Sequence, residues 1–334
     1  MADPRVTVIM SVYNGAATVG RAVDSIRGQS FSDFVFYITD DGSTDGTPDI
    51  LRHYADRDAR ITVISQENRG LTKSLNNMTS LSRGEFLARM DADDVSAADR
   101  LQTQYDLLTG DPGAVMAGCW FSVGNSVGRL YERKFPDSDE ILKKNLSAGI
   151  NCFAHGGVMF RRAAIDALPA GYRLYYGQDF DLWLRFAEIG RLRMAEKLLY
   201  WRGDTLSTIS ASVEPRRRAL MNLMLKLAFE RRNHGKEITD WAIAEKEIFS
   251  RIPAWNDAQA RAYRDFISAR AFLAEGNTKD ARRLAWGALL KLPARLKFYL
   301  ILPLLLLPGP IVSLLFRLRD FFGDRASFMR RFSA

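Results

Sequence analysis

A chain of 334 residues, 47% hydrophobic and 26% charged, is long enough to bury one large core with an appendage, or two domains, and its composition excludes a disordered or collagen-like protein. Its two cysteines, Cys119 and Cys152, have no CxxC spacing and no histidine cluster beside them, which excludes a disulfide framework and a structural zinc site. The formal net charge of +8 is unevenly spread: residues 213–334 hold 23 Lys and Arg against 12 Asp and Glu, whereas residues 1–212 hold 24 against 27.

Residues 1–30 lack the basic stretch and apolar run of a signal peptide, so the catalytic part is expected in the cytoplasm. Residues 6–12 (VTVIMSV) and 34–39 (FVFYIT) are β-rich runs, and helical spacing of Val19, Val23 and Ile26 between them makes a βαβ unit. The alternation continues with a helix from about Pro48, a strand over 61–65, a helix over 71–81 and a strand over 86–90. Such alternation predicts an α/β fold: a Rossmann-like, mostly parallel sheet flanked by helices. Ser96 and Asp99 read as a capping box opening a helix that ends near Gly110, and 114–123 as a strand. A helix after Asp179 and a β-like stretch over 193–201 follow.

From residue 213 the sequence turns helical and basic, and 271–292 resembles a single helical-hairpin repeat. Residues 298–316 (FYLILPLLLLPGPIVSLLF) are uncharged, with Arg295, Lys297, Arg317 and Arg319 around them. Pro303, Pro308 and Pro310 argue against a straight spanning helix. An anchor lying in an anionic membrane surface fits the composition, a buried helical hairpin being the alternative. Three regions are therefore expected: 1–212 catalytic, 213–294 basic and helical, and 295–334 apolar and membrane-associating.

Asp91-Ala92-Asp93-Asp94 follows directly on the strand over 86–90, so its carboxylates emerge at the C-terminal edge of the sheet, where open α/β folds bind ligands. Acids two positions apart let one hold a divalent cation, Mg2+ or Mn2+, while the other reaches a ribose hydroxyl. An acidic turn is the plain alternative. Asp40-Asp41-Gly42-Ser43, past the second strand, suits hydrogen bonding to a base or ribose, or an Asx-type turn. Ser11 and Tyr13 close the first strand with a hydroxyl and an aromatic face. Asp179 stands at a predicted helix N-terminus, which suits an ionised general base or a simple N-cap.

Together, 6–15 (VTVIMSVYNG), 39–47 (TDDGSTDGT), 67–76 (ENRGLTKSLN) and 90–94 (MDADD) resemble family 2 glycosyltransferases of the GT-A fold, over roughly residues 5–210. The resemblance implies that Ser11, Tyr13 and Asp41 contact the base and ribose of a UDP or dTDP sugar, with Arg69 and Lys73 facing the diphosphate. Asp91 then matches the first acid of a DxD motif, on the ribose side, and Asp93 the direct ligand of Mn2+ or Mg2+; Asp94 has no assigned role. Residues 177–181 (GQDFD) are similar to a later motif, usually Glu-Asp, whose second acid is the catalytic base. Gln178 replaces the first acid and Asp179 matches the second. His155 and Trp183 are expected on the acceptor side.

The chain departs from the pattern at 200–204 (YWRGD), where many relatives carry a histidine near the diphosphate or metal. The resemblance implies an inverting transfer onto a saccharide hydroxyl, with a lipid-linked acceptor in bacterial surface polysaccharide assembly. The missing signal-peptide pattern and the basic, apolar C-terminal region place the enzyme at the cytoplasmic face of the membrane as an expectation. A catalytically silent nucleotide-binding scaffold is the alternative. Nucleic acid is not an expected partner, because no zinc-finger, RNA-recognition or helix-turn-helix signature accompanies the basic third.

Overall fold

The computed structural model describes residues 3–125, 128–204, 214–235, 240–253 and 278–291, with separate residues between 256 and 269. In chain order the first half runs β1 (Val6–Val12), α1 (Val19–Arg27), β2 (Phe34–Asp40), α2 (Thr47–Ala55), β3 (Ile61–Ser65), α3 (Leu71–Leu81), β4 (Phe86–Arg89), β5 (Val95–Ser96) and α4 (Arg100–Thr109). Then come β6 (Ala114–Asn125), β7 (Gly128–Arg133), α5 (Asp139–Ser147), a 3-10 turn at His155–Gly157, β8 (Met159–Arg161), α6 (Arg162–Asp166), α7 (Gln178–Ile189) and β9 (Arg191–Asp204). Helices α8 (Glu214–His234), α9 (Trp241–Arg251) and α10 (Thr278–Lys291) complete the described elements.

The strands form one sheet in the order β3-β2-β1-β4-β8-β6-β9-β5, with β7 on β6. The sheet is mixed rather than mostly parallel. β1, β2, β3 and β4 pair in parallel, as do β6 and β9. The pairings β4–β8, β6–β8, β6–β7 and β5–β9 are antiparallel. The βαβ alternation of the first half is a strong periodic signal, whereas three-residue β8 is too short to show a period at all.

Both faces of the sheet are covered. Val6, Val8, Met10 and Val12 enter one hydrophobic cluster with Phe86 and Ala88, while Ile9 enters a second with Leu87, Phe160 and Trp183. Side chains alternate across a strand, so Arg89 is directed to the same side as Leu87. The expected capping box at α4 does not form: Asp99 is the N-cap but makes no side-chain cap bond. Ser96 lies in β5, and its hydroxyl accepts from Arg100 Nε.

Two compact units are present, Met1–Thr205 with Arg217–Arg251, and Leu206–Arg216 with Ile252–Ala334. In the first, Leu220, Met224 and Ala228 of α8 join the second core cluster, and Phe249 of α9 stacks on Tyr176 at 5.3 Å. Among the described residues no helix is long and apolar enough to cross a membrane. The apolar segment expected at 298–316 lies outside the described residues, as does 271–277 of the repeat-like stretch.

Candidate active site

Register sets the site. Ser11 pairs with Thr39 and Val12 with Asp40, while Asp40 pairs with Ser65, so β1, β2 and β3 end level and their loops share one sheet edge. Side chains stitch these loops together. Asn14 N–H donates to Ser43 Oγ at 2.9 Å, Thr44 N–H to Asn14 Oδ1 at 2.8 Å, and Gly15 N–H to Thr47 Oγ1 at 2.9 Å. Asp40 makes the Asx-type bond to Ser43 N–H at 3.1 Å. Asp41 is buried and accepts from Gln66 Nε2 at 2.6 Å and from the N–H groups of Arg69 and Gly70, both at 2.9 Å. These three bonds leave about one of the carboxylate's four acceptor positions open. They also fix the start of α3, beside which Arg69 and Lys73 are exposed, with no ion-pair partner among the described residues. Tyr13 is 51% exposed on the same edge.

Members of the 91–94 turn have separate environments. Asp91 pairs with fully buried Arg89 at 2.6 Å. Burial opposes its ionisation, but the charge of Arg89, with His155, Arg202 and a bond from Gly156 N–H, holds its pKa below the ordinary value. Burial and the neighbouring Asp91 charge raise the pKa of Asp93. Asp94 is buried and accepts from Gly203 N–H at 2.8 Å and from the Tyr200 hydroxyl. Burial, then repulsion from Asp91 and Asp93, pushes its pKa up to about 8. Asp94 is therefore an anchor tying the turn to β9. Gly203 is required there, since a Cβ would overlap the Asp93 carbonyl oxygen.

Tyr200 also accepts from Asp91 N–H at 3.3 Å, and a Cβ at Gly156 would overlap its hydroxyl. Arg100 sits 5.5 Å from the Tyr200 ring centre and donates to the carbonyls of Arg89 and Gly156 at 3.1 and 3.2 Å. Gln104, one turn on, donates to Ala117 and Gly157 carbonyls at 3.0 and 2.8 Å. Sequence reasoning missed this scaffold. Its signal was polar Arg100 and Gln104 standing on the same buried α4 stripe as Leu101 and Leu108.

His155 belongs to the 151–157 segment, of which Asn151 donates to Asp179 and Gly156 lies against Asp91, and both carboxylates act on it electrostatically. Its Nε2 is 3.4 Å from the Tyr172 hydroxyl. Burial and the Arg89 charge push its pKa down to about 4, against the pull of the two carboxylates, so the ring is neutral at neutral pH. Asp179, in the first turn of α7, accepts from Asn151 Nδ2 at 3.2 Å. Trp183, expected to line a binding surface, is instead 0% exposed, with its ring centre 6.1 Å from that of His155 and 6.2 Å from that of Phe153. Its neighbours Leu182 and Leu184 are buried as well, so the indole backs His155 from the core.

The donor set suits a hard divalent cation but does not enclose one. Asp93 is repelled by Asp91, which an added positive charge would relieve, while Asp94 is committed to Gly203 and Tyr200. Among the described residues no group of three or more His, Cys, Asp or Glu could hold a metal ion. A cation here would draw its remaining ligands from phosphate oxygens and water.

A parallel β1–β4 sheet edge carrying the acidic turn, with a second carboxylate on α7, defines a GT-A-like α/β fold. Solved structures share it: mannosyltransferase PcManGT from Pyrobaculum calidifontis, in complex with GDP-Man and Mn2+, has a TM-score of 0.52 at 22% identity, covering 96% of this chain and 88% of that one. S. aureus TarS 1-349 in complex with UDP has a TM-score of 0.53 at 15% identity, covering 86% and 88%.

Residues 7–168 match the profile of glycosyl transferase family 2. The O-antigen biosynthesis glycosyltransferase WbnJ of Escherichia coli is 32% identical over 209 residues, 61% of this chain and 81% of that protein. EpsE of Bacillus subtilis, which carries the name of a glycosyltransferase, is 35% identical over 193 residues, 56% and 68% of the two chains. The chain belongs to glycosyltransferase family 2, and it is a transferase enzyme.

Proposed function

We propose that this glycosyltransferase moves a sugar from a nucleotide diphosphate to a saccharide hydroxyl with inversion, using Asp179 as general base. The observation that carries the reading is the 151–157 segment, whose Asn151 donates to Asp179 while its Gly156 lies against Asp91, so that one short segment supports both acidic motifs. Asp179 accepts the acceptor's hydroxyl proton, the oxygen bonds to the anomeric carbon, and the bond from that carbon to the diphosphate oxygen breaks. One displacement inverts the centre. Asn151 orients Asp179 through the bond to Oδ2.

Ser11 and Tyr13 take the base and ribose, and Asp41 offers its open acceptor position while holding the loop that presents Arg69 and Lys73 to the diphosphate. UDP or dTDP is the favoured carrier. Asp93, with Asp91 on the ribose side, would hold Mn2+ or Mg2+, which when bound neutralises charge on the departing diphosphate. Neutral His155 lines the acceptor side without adding positive charge beside Asp179.

The excess of Lys and Arg over 213–334 supports association with an anionic membrane surface at its cytoplasmic face, presenting a lipid-linked saccharide acceptor. The O-antigen role in the name of WbnJ supports surface polysaccharide assembly as the setting. Asp179→Asn is expected to abolish turnover yet keep the thermal shift produced by UDP or dTDP with Mn2+. Substantial turnover by that variant would remove Asp179 from the reaction.

A further inference from the structure

Tyr175 is 58% exposed, although its backbone N–H is hydrogen-bonded to a buried carboxylate. Glu245 of α9, itself buried, accepts from Tyr175 N–H at 3.0 and 3.1 Å and from Tyr176 N–H at 3.2 Å. Tyr176 stacks on Phe249 from the same helix. On the other side, Thr72 Oγ1 donates to Leu174 O at 2.6 Å, and Asn76 Nδ2 to Tyr172 O at 2.7 Å, so the 172–176 loop is fastened to α3. The Tyr175 ring lies over Gly70, where an added Cβ would come within 3.2 Å of it, and it packs edge-on against Tyr176 with ring centres 4.8 Å apart.

An exposed ring on a braced loop costs little entropy to use as a binding surface. Its neighbours locate the ligand. Gly70 N–H bonds to Asp41, Arg69 and Lys73 flank it, and the base helix starts three residues after Tyr175. We infer that Tyr175 is an aromatic platform for the glycosyl ring of the donor, between the diphosphate end at Arg69 and Lys73 and the carboxylate of Asp179, and that Glu245 is the residue positioning it. An aromatic face suits the C–H face of a pyranose, and the phenol hydroxyl adds a hydrogen-bonding handle that helps select the sugar. The inference rests on the proposed donor class, so its test separates the two.

Full-length protein is titrated calorimetrically in Mn2+ with UDP, UDP-glucose, UDP-N-acetylglucosamine, dTDP and dTDP-glucose. Tyr175→Ala should leave affinity for the bound bare nucleotide within about twofold and weaken its sugar conjugate roughly tenfold, whereas Tyr175→Phe, keeping the ring, should lose less than about threefold. Glu245→Ala should repeat the Tyr175→Ala pattern; if that variant melts early, the two exposed Tyr175 variants decide alone. Equal loss of nucleotide and sugar conjugate in Tyr175→Ala, or no loss, overturns the platform and leaves the donor reading standing. Failure of the wild-type chain to bind any of the five compounds overturns both.

Discussion

Buried Asp94 and half-buried His155 are both held uncharged, the acid by keeping its proton and the imidazole by giving its proton up. Burial keeps Asp94 protonated up to about pH 8, from an ordinary value of 3.8, and keeps His155 neutral down to about pH 4, from 6.5. For Asp94 the folded chain holds a proton that the unfolded chain releases between these limits, so stability falls as pH rises through 3.8 to 8. For His155 the unfolded chain holds the extra proton between pH 4 and 6.5, so the contribution is full above 6.5 and is lost as pH falls through that window. The terms oppose each other in wild type, and a difference measurement isolates the histidine. In metal-free buffer His155→Gln should lose less stability than wild type between pH 6.5 and 4.5, by on the order of 1 to 3 kcal/mol, read from urea midpoints. Parallel pH curves would place the ring elsewhere in the titration. The sequence left Asp94 without a role beside Asp91 and Asp93, and only the folded chain shows that Gly203 and Tyr200 consume it.

At the scale of elements, α7 shows how the proposed base, Asp179, is held still. Asp181, two residues beyond Asp179, receives Arg173 at 2.8 Å through both oxygens and Arg185 Nε at 3.1 Å, and all three side chains are buried. Arg185 also donates to the carbonyls of Pro169, at 3.2 Å, and Gly171, so the network joins the helix to the loop before it. Removing the anion strands two buried cations. Asp181→Asn should destabilise by about 3 to 5 kcal/mol, measured by urea unfolding. A change below about 1 kcal/mol would show that water reaches the pair.

Element type was widely legible in advance: α3 spans Leu71–Leu81 as its periodicity predicts, and Gly177, at φ 73°, opens α7 where Asp179 was expected to stand near a helix start. The capping box failed because Arg100, not a backbone N–H, takes the Ser96 hydroxyl. The antiparallel half of the sheet was hidden because β8 is three residues long and β5 two, lengths at which tertiary pairing rather than local pattern sets the strand.

For the whole molecule, charge and periodicity set a boundary near Ser212, but neither reports which later helices pack back on the sheet. Leu220 and Met224 are only 4% and 3% exposed and belong to the cluster that contains Trp183 and Phe186. Gly177 illustrates the closeness of the fit, since a Cβ there would press on the Met224 thioether at 2.9 to 3.0 Å. Burying two such side chains contributes about 3 to 6 kcal/mol, a large share of a typical stability of about 5 to 15 kcal/mol. Glu245 accepts from the N–H groups of both Tyr175 and Tyr176 in the Tyr175 loop. A chain ended after Ser212 should therefore bind a hydrophobic dye and lose its cooperative urea transition, whereas one ended after Pro253 should keep a transition and its metal-dependent nucleotide shift. A shorter chain unfolding at the wild-type midpoint would mean that α8 and α9 are accessories. The expected result instead makes them part of the catalytic core, carrying the loop at Tyr175 and the helix at Asp179 from behind.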